Sequence, residues 1–317
     1  MRANGPSGWR PLSEQSPATA RSLAPFGDRL DQAFDSFGQL CVGIDPHPYL
    51  LERWGLADEP SGLRQFGLRV VDAAAGKVGI IKPQVAFFER HGSAGYAALE
   101  SILDSARRAG LLVIADAKRG DLGTSVEAYS QAWFSKGSPL EVDALTISAY
   151  MGLGSIEAPM TLAEKLGKGL FVLAATSNPE ALFLQTARIS SGSDAGRTVA
   201  SSIVTGVNEW NSSGGSGTAV RKRPVRDVGS IGLVLGATVN FTAFGLDLAS
   251  IAAIPASPVL APGFGHQGAQ FADLDRLYGP AAPFTIVSAS RSILEAGPDG
   301  ISEAIRMQAA EVFACRA

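Results

Sequence analysis

Residues 111–125 read LLVIADAKRGDLGTS, an apolar, β-branched run that breaks off into alternating acids and bases. The first five residues suit a strand buried on both faces, closed by the aspartate that follows. The same design recurs along the chain. Short apolar runs at 40–44, 78–82, 144–147, 170–174, 231–236, 259–261 and 284–287 each end in Gly, Pro, Asp or Ser or in a lone Lys. Their starts lie about 25 to 38 residues apart, with one wider gap, which leaves room for a helix in every interval. Helical stripes fill the intervals: Leu99, Ile102, Leu103 and Ala106 share one face, as do Val199, Ile203 and Val207. Eight strand–helix units predict an α/β fold, a single-domain (β/α)8 TIM barrel spanning 26–317.

The composition suits one large core. Of 317 residues, 46% are hydrophobic and 18% charged. A net charge of -3 and a pI near 5.7 give no overall attraction to nucleic acid or to an anionic membrane, so an anionic ligand would need a local site. Only Cys41 and Cys315 are present, which excludes a disulfide framework and fits a reducing cytoplasm. No stretch reaches eighteen consecutive apolar residues, and residues 1–25 read as a mobile N-terminal extension without a signal-peptide core. The wide gap holds a Gly/Ser-rich insertion at 211–229, basic at Arg221, Lys222, Arg223 and Arg226. It reads as a solvated loop, with the gathering of anionic substrate as the alternative.

Barrel enzymes carry their chemistry on the loops that follow the strands. Residues two apart on an extended chain share a face, so Asp116 and Lys118 point together into the barrel mouth, with Asp121 just beyond and Lys82 ending the preceding strand. Such a cluster can be an ion-pair network that seals the barrel. Against that stands the cost of desolvating charges where apolar side chains would stabilise as well.

The pattern Asp-x-Lys-x-x-Asp at Asp116, Lys118 and Asp121, with Lys82 before it, resembles the signature of the orotidine 5′-phosphate decarboxylase family. LCVGIDPHPYLL, KPQVAFFERHG, FVLAATSNPEA, GLVLGATV and APGFGHQG resemble its actinobacterial-type branch in the same order, over residues 39–293. The resemblance implies conversion of orotidine 5′-monophosphate (OMP) to UMP and CO2 in de novo pyrimidine synthesis, with no metal or organic cofactor. His47, His91 and His266 are scattered, which agrees with that expectation. By resemblance Lys118 protonates C6, Asp116 faces the substrate carboxylate, and Lys82 and Asp121 complete the network and meet the ribose hydroxyls. Asp121 would reach a neighbouring subunit's site, which implies a homodimer with shared active sites. Ser125 stands where the family usually has Thr.

Asp45, in GIDPHP, is either a turn former before Pro46 or, as in the family, a ribose ligand. Gly263, Gly265 and Gly268 followed one unit later by Arg291 suit a phosphate site, the glycines exposing N–H groups and the arginine adding a bidentate charge. The family assigns phosphate to Arg291 and a phosphate-to-pyrimidine bridge to Gln267. Ser290 replaces a frequent Gly and keeps its N–H. Ser177 matches the pyrimidine-reading serine, with a turn or N-cap role as the other reading. The alternatives are a Mg-dependent 3-keto sugar phosphate decarboxylase with the same charged core, or a Schiff-base aldolase using Lys82 or Lys118.

Overall fold

The computed structural model describes residues 23–214 and 228–315. Most of the expected N-terminal extension, and the basic part of the insertion with Arg221, Lys222, Arg223 and Arg226, lie outside the described residues. Eight parallel strands close into a barrel in chain order: β1 (Leu40–Ile44), β2 (Ile80–Pro83), β3 (Leu112–Arg119), β4 (Ala144–Ile147), β5 (Gly169–Ala175), β6 (Ile231–Leu235), β7 (Val259–Pro262) and β8 (Thr285–Ala289). The seam is β1 on β8, with Leu40 opposite Val287. The chain is the (β/α)8 barrel that the strand rhythm predicts, with boundaries shifted by one or two residues except in β3.

Period-2 alternation explains how the core divides. Cys41, Ile80, Ile114, Ala144, Phe171, Val234, Leu260 and Ile286 fill the barrel interior, while the residues alternating with them pack beneath the outer helices. Helix Phe26–Phe37 is an addition to the eight units. Its Phe26, Leu30 and Phe34 join the interior cluster and close the floor of the barrel. The Phe26 ring meets Phe171 edge-on, with centroids 5.9 Å apart. Gly169, the first residue of β5, makes room for it: a Cβ there would lie 2.4 Å from the Phe26 ring. Gly169→Ala is therefore expected to lower stability by about 1–3 kcal/mol, read from urea unfolding, with little change in turnover because the site lies at the other end of the barrel.

The insertion begins later than the sequence suggested. Helix Val199–Ser213 runs through its first residues. Asn211 is 4% exposed, and its Nδ2 donates to the Ile231 carbonyl at 2.7 Å and to Ser257 Oγ at 2.9 Å. A buried amide with both bonds made is part of the framework, not of a solvated loop.

β3 is longer than its apolar run because it bulges. Ala115 sits opposite Leu145 and Arg119 opposite Ile147, so four steps on β3 face two on β4. The excess is taken up at Lys118, whose φ of 45° makes it the one non-glycine residue with positive φ among those described. That conformation costs a lysine on the order of 1 kcal/mol or more, and residues held this way concentrate at functional sites.

Candidate active site

The strand ends surround a cavity of about 370 Å3 at the carboxyl-terminal mouth of the barrel. Asp45 follows β1, Lys82 lies in β2, Asp116 and Lys118 in β3 and Thr146 in β4, all on its wall. Ser177 follows β5, Gln267 follows β7, and Ser290 and Arg291 follow β8, and these line the cavity too, the β8 residues closing the ring beside β1.

Asp116 is the hub. Its Oδ2 accepts from Lys82 Nζ at 3.0 Å and its Oδ1 from Lys118 Nζ at 2.6 Å. Thr146 Oγ1 donates to the same Oδ1 at 2.9 Å and accepts the Lys118 backbone N–H at 2.9 Å, so one hydroxyl fixes both the carboxylate and the bulge. Burial pushes the Asp116 carboxyl upward, but the Lys82 and then the Lys118 ammonium outweigh it and hold the group well below the carboxylate range. Burial pulls Lys82 down, while Asp116 and then Asp45 together raise it above the ordinary lysine value. Two lysines thus flank a carboxylate held in its ionised form, and Lys118 alone of the three extends into the open cavity, its side chain 47% exposed.

Two contributors escaped the sequence analysis. Thr146 is a polar, inward-facing residue in the apolar run ALTI, a detectable signal. Gln84 also lines the cavity, and with its amide turned to suit its neighbours it donates to the Asp116 carbonyl and accepts from Lys118 Nζ at 3.3 Å. Nothing in KPQVA marks it.

Four expected residues fall outside the cavity. Asp121 does not join Lys82, Asp116 and Lys118. It is half-buried in the loop after β3 and accepts the Leu122 N–H at 2.8 Å, and Ser125 is exposed on the next helix. Both lie beyond the bulge, where the alternation of the strand is already broken. Nor do Gly265 and Gly268 present free amides. Gly265 N–H donates to the Ala269 carbonyl at 2.8 Å and Gly268 N–H to the Gly265 carbonyl at 3.0 Å. Their positive φ values fold the loop onto itself, and this is what the glycines supply. Gly263 does line the cavity, beside Gln267.

Asp45 is a turn former as well as a cavity residue, since its carbonyl accepts the His47 N–H at 2.8 Å. Ser177 is not the N-cap of the following helix; Asn178 is. Thr176 and Asn178 are tied together by a 2.8 Å hydroxyl-to-amide bond, which leaves Ser177 on the cavity wall between them. Among the described residues no three His, Cys, Asp or Glu side chains gather as metal ligands, and no helix is long and apolar enough to cross a membrane.

Residues 38–306 match the profile of the Orotidine 5′-phosphate decarboxylase / HUMPS family. The chain is 46% identical over 296 residues to the orotidine 5′-phosphate decarboxylase of Salinispora tropica, covering 93% of this chain and 98% of that protein. It is 40% identical to the Myxococcus xanthus protein of the same name, covering 92% and 96%. Among solved structures it is similar to a Streptomyces avermitilis protein assigned the same activity, with a TM-score of 0.82 and 43% identity over 93% of this chain and 96% of that one. It is also similar to Leishmania donovani OMP decarboxylase, with a TM-score of 0.70 and 26% identity over 92% and 98%.

Proposed function

The chain belongs to the Orotidine 5′-phosphate decarboxylase / HUMPS family, and we propose that it removes CO2 from C6 of OMP to give UMP, with Lys118 returning a proton to that carbon. The observation that carries the mechanism is the 2.6 Å contact between Lys118 Nζ and Asp116 at the wall of a cavity whose far side bears Gln267 and Arg291. The relatives bear the nucleotide decarboxylase's name, which supports this reading over a sugar-phosphate decarboxylase.

The C6–carboxylate bond breaks and leaves its electron pair on C6 as CO2 departs. An N–H bond of the Lys118 ammonium then breaks toward C6, leaving the neutral amine, and solvent reprotonates it to the ammonium, so that one proton is consumed per turnover. Before bond breaking, Asp116 would repel the substrate carboxylate. Afterwards the Lys118 charge is already in position to oppose the carbanion, which is stabilisation without reorganisation. One opposite-charge contact near 4 Å supplies roughly 4 kcal/mol at an effective dielectric of 20. An acceleration at the top of the enzymatic range needs on the order of 20 kcal/mol. Binding must supply the difference, and the anchors for it are Arg291 and Gln267 toward phosphate, Ser177 and Gln267 toward the pyrimidine, and Asp45 and Lys82 toward ribose.

Asp121 and Ser125, outside their own cavity, are the residues by which we infer that a second copy completes each site in a homodimer. The scarcity of cysteine supports a cytoplasmic setting. We further infer that no metal or organic cofactor takes part. Purified protein treated with EDTA is expected to convert OMP to UMP at the untreated rate, followed by ultraviolet absorbance; activity that vanishes and returns with Mg2+ would overturn the cofactor-free mechanism.

A further inference from the structure

Two buried polar atoms on the cavity wall have no protein partner among the described residues: Asp45 Oδ1 and Ser290 Oγ. They belong to different βα loops, after β1 and β8, which are neighbours because β1 and β8 form the barrel seam. Both crowd the space beside Gly43. A Cβ on that glycine would lie 2.7 Å from Ser290 Cβ, 3.1 Å from Ser290 Oγ and 3.3 Å from Asp45 Oδ2. The absence of a side chain at residue 43 is what lets both side chains pack against the same stretch of backbone.

A buried hydroxyl or carboxylate oxygen left without a partner costs on the order of 1–3 kcal/mol, so such atoms are retained where something meets them. The pair restricts what that can be. The Asp45 carboxylate accepts hydrogen bonds, whereas the Ser290 hydroxyl has a proton to give. A phosphate oxygen has nothing to donate to Asp45. An ammonium has nothing to accept from Ser290, and it would enter beside the Lys82 cation, on which Asp45 already acts. A neutral hydroxyl satisfies both at once.

We propose that Ser290 Oγ is a direct ligand of a ribose hydroxyl of the bound nucleotide, donating to the hydroxyl that in turn donates to Asp45. This rests on the nucleotide reading above and adds to it a role for the Ser290 side chain that its backbone does not supply. Ser290 thereby links the sugar to the segment that carries Arg291, its immediate neighbour. Nucleotides lacking that hydroxyl leave both protein atoms unmet and are discriminated against.

The test is calorimetric titration of the full-length wild type and Ser290→Ala with UMP, 2′-deoxyUMP and 3′-deoxyUMP, together with thermal unfolding of the unliganded proteins. Ser290→Ala is expected to weaken UMP about five- to tenfold, the range of a neutral hydrogen bond. One deoxy analogue, the one lacking the hydroxyl in question, should bind wild type and variant equally, whereas the other keeps the loss seen with UMP. The unliganded variant should melt at the wild-type temperature or above, since an unmet buried hydroxyl has been removed. Equal weakening of all three nucleotides, or none, overturns the proposal, as does a lowered melting temperature with unchanged binding, which marks a structural serine. Failure of UMP to bind the wild type refutes the nucleotide reading instead, and this inference with it.

Discussion

Lys118→Ala is expected to lower kcat by about 10⁴-fold or more while UMP binding stays within tenfold of wild type. General acid catalysis contributes roughly 10² to 10⁴, and the same ammonium also opposes the charge on C6, an electrostatic contribution of about 10² to 10³. The protein should fold. The Lys118 side chain is half exposed, and its backbone bond to Thr146 survives truncation. Alanine meets the same left-handed strain that lysine does, so that cost cancels. Single-turnover conversion of OMP measures the step directly. A variant within tenfold of wild type would remove Lys118 from the chemistry.

Asp116→Asn is expected to lose about 3–5 kcal/mol of stability at neutral pH, the usual consequence of taking one partner from a buried ion pair, and about 10² to 10³ in kcat. The pH dependence separates the two ions. In the wild type Asp116 lies below the free carboxylate value of 3.8, so its contribution is complete above that value and is lost only as pH falls through the lower folded one. Lys82 lies above the free value of 10.5, so its contribution is complete below 10.5 and is lost only at still higher pH. Between those limits the pair's own contribution to wild-type stability does not change with pH. In the variant Lys82 keeps its burial but loses its first counter-charge, and its folded value drops. A cation that the fold disfavours destabilises more as pH falls, so the deficit should shrink from neutral pH toward about pH 9.5. Urea unfolding at both values is the measurement. A deficit below about 1 kcal/mol, or one unchanged with pH, means that Lys82 is not held as a buried cation by Asp116.

All eight strands were legible in the sequence because buried parallel strands are short, nearly continuous apolar runs, and these stood at helix-spaced intervals. The helix Phe26–Phe37 was not, because its role depends on where Phe26 lands, and neither amphipathic spacing nor composition says that a barrel floor lies beneath it. The alternation rule put Asp116 and Lys118 on one side, and the structure does so, although by a bulge and a left-handed lysine that no pattern announces. The same bulge explains why spacing gives Asp121 no place in its own cavity: a loop residue five places past Asp116 has no fixed direction once alternation is broken. Gly265 and Gly268 were read for their exposed amides, yet a glycine at positive φ can equally spend its N–H inside its own turn, and here it does. Thr146 could have been found by asking of every strand which inward residue is polar. Gln84 could not, since its part is visible only once β2 and β3 are side by side.

The floor laid down by Phe26, Leu30 and Phe34 makes the reaction chamber a cul-de-sac. Among the described residues, Ile80, Ile114, Phe171 and Ile286 are fully buried above that floor and pack the barrel axis with side chains. Liberated CO2 must escape by the doorway that admits the nucleotide, squeezing past the ring it has just left. Until it does so it remains poised to recombine, and the enzyme's forward commitment depends on proton delivery outrunning that return.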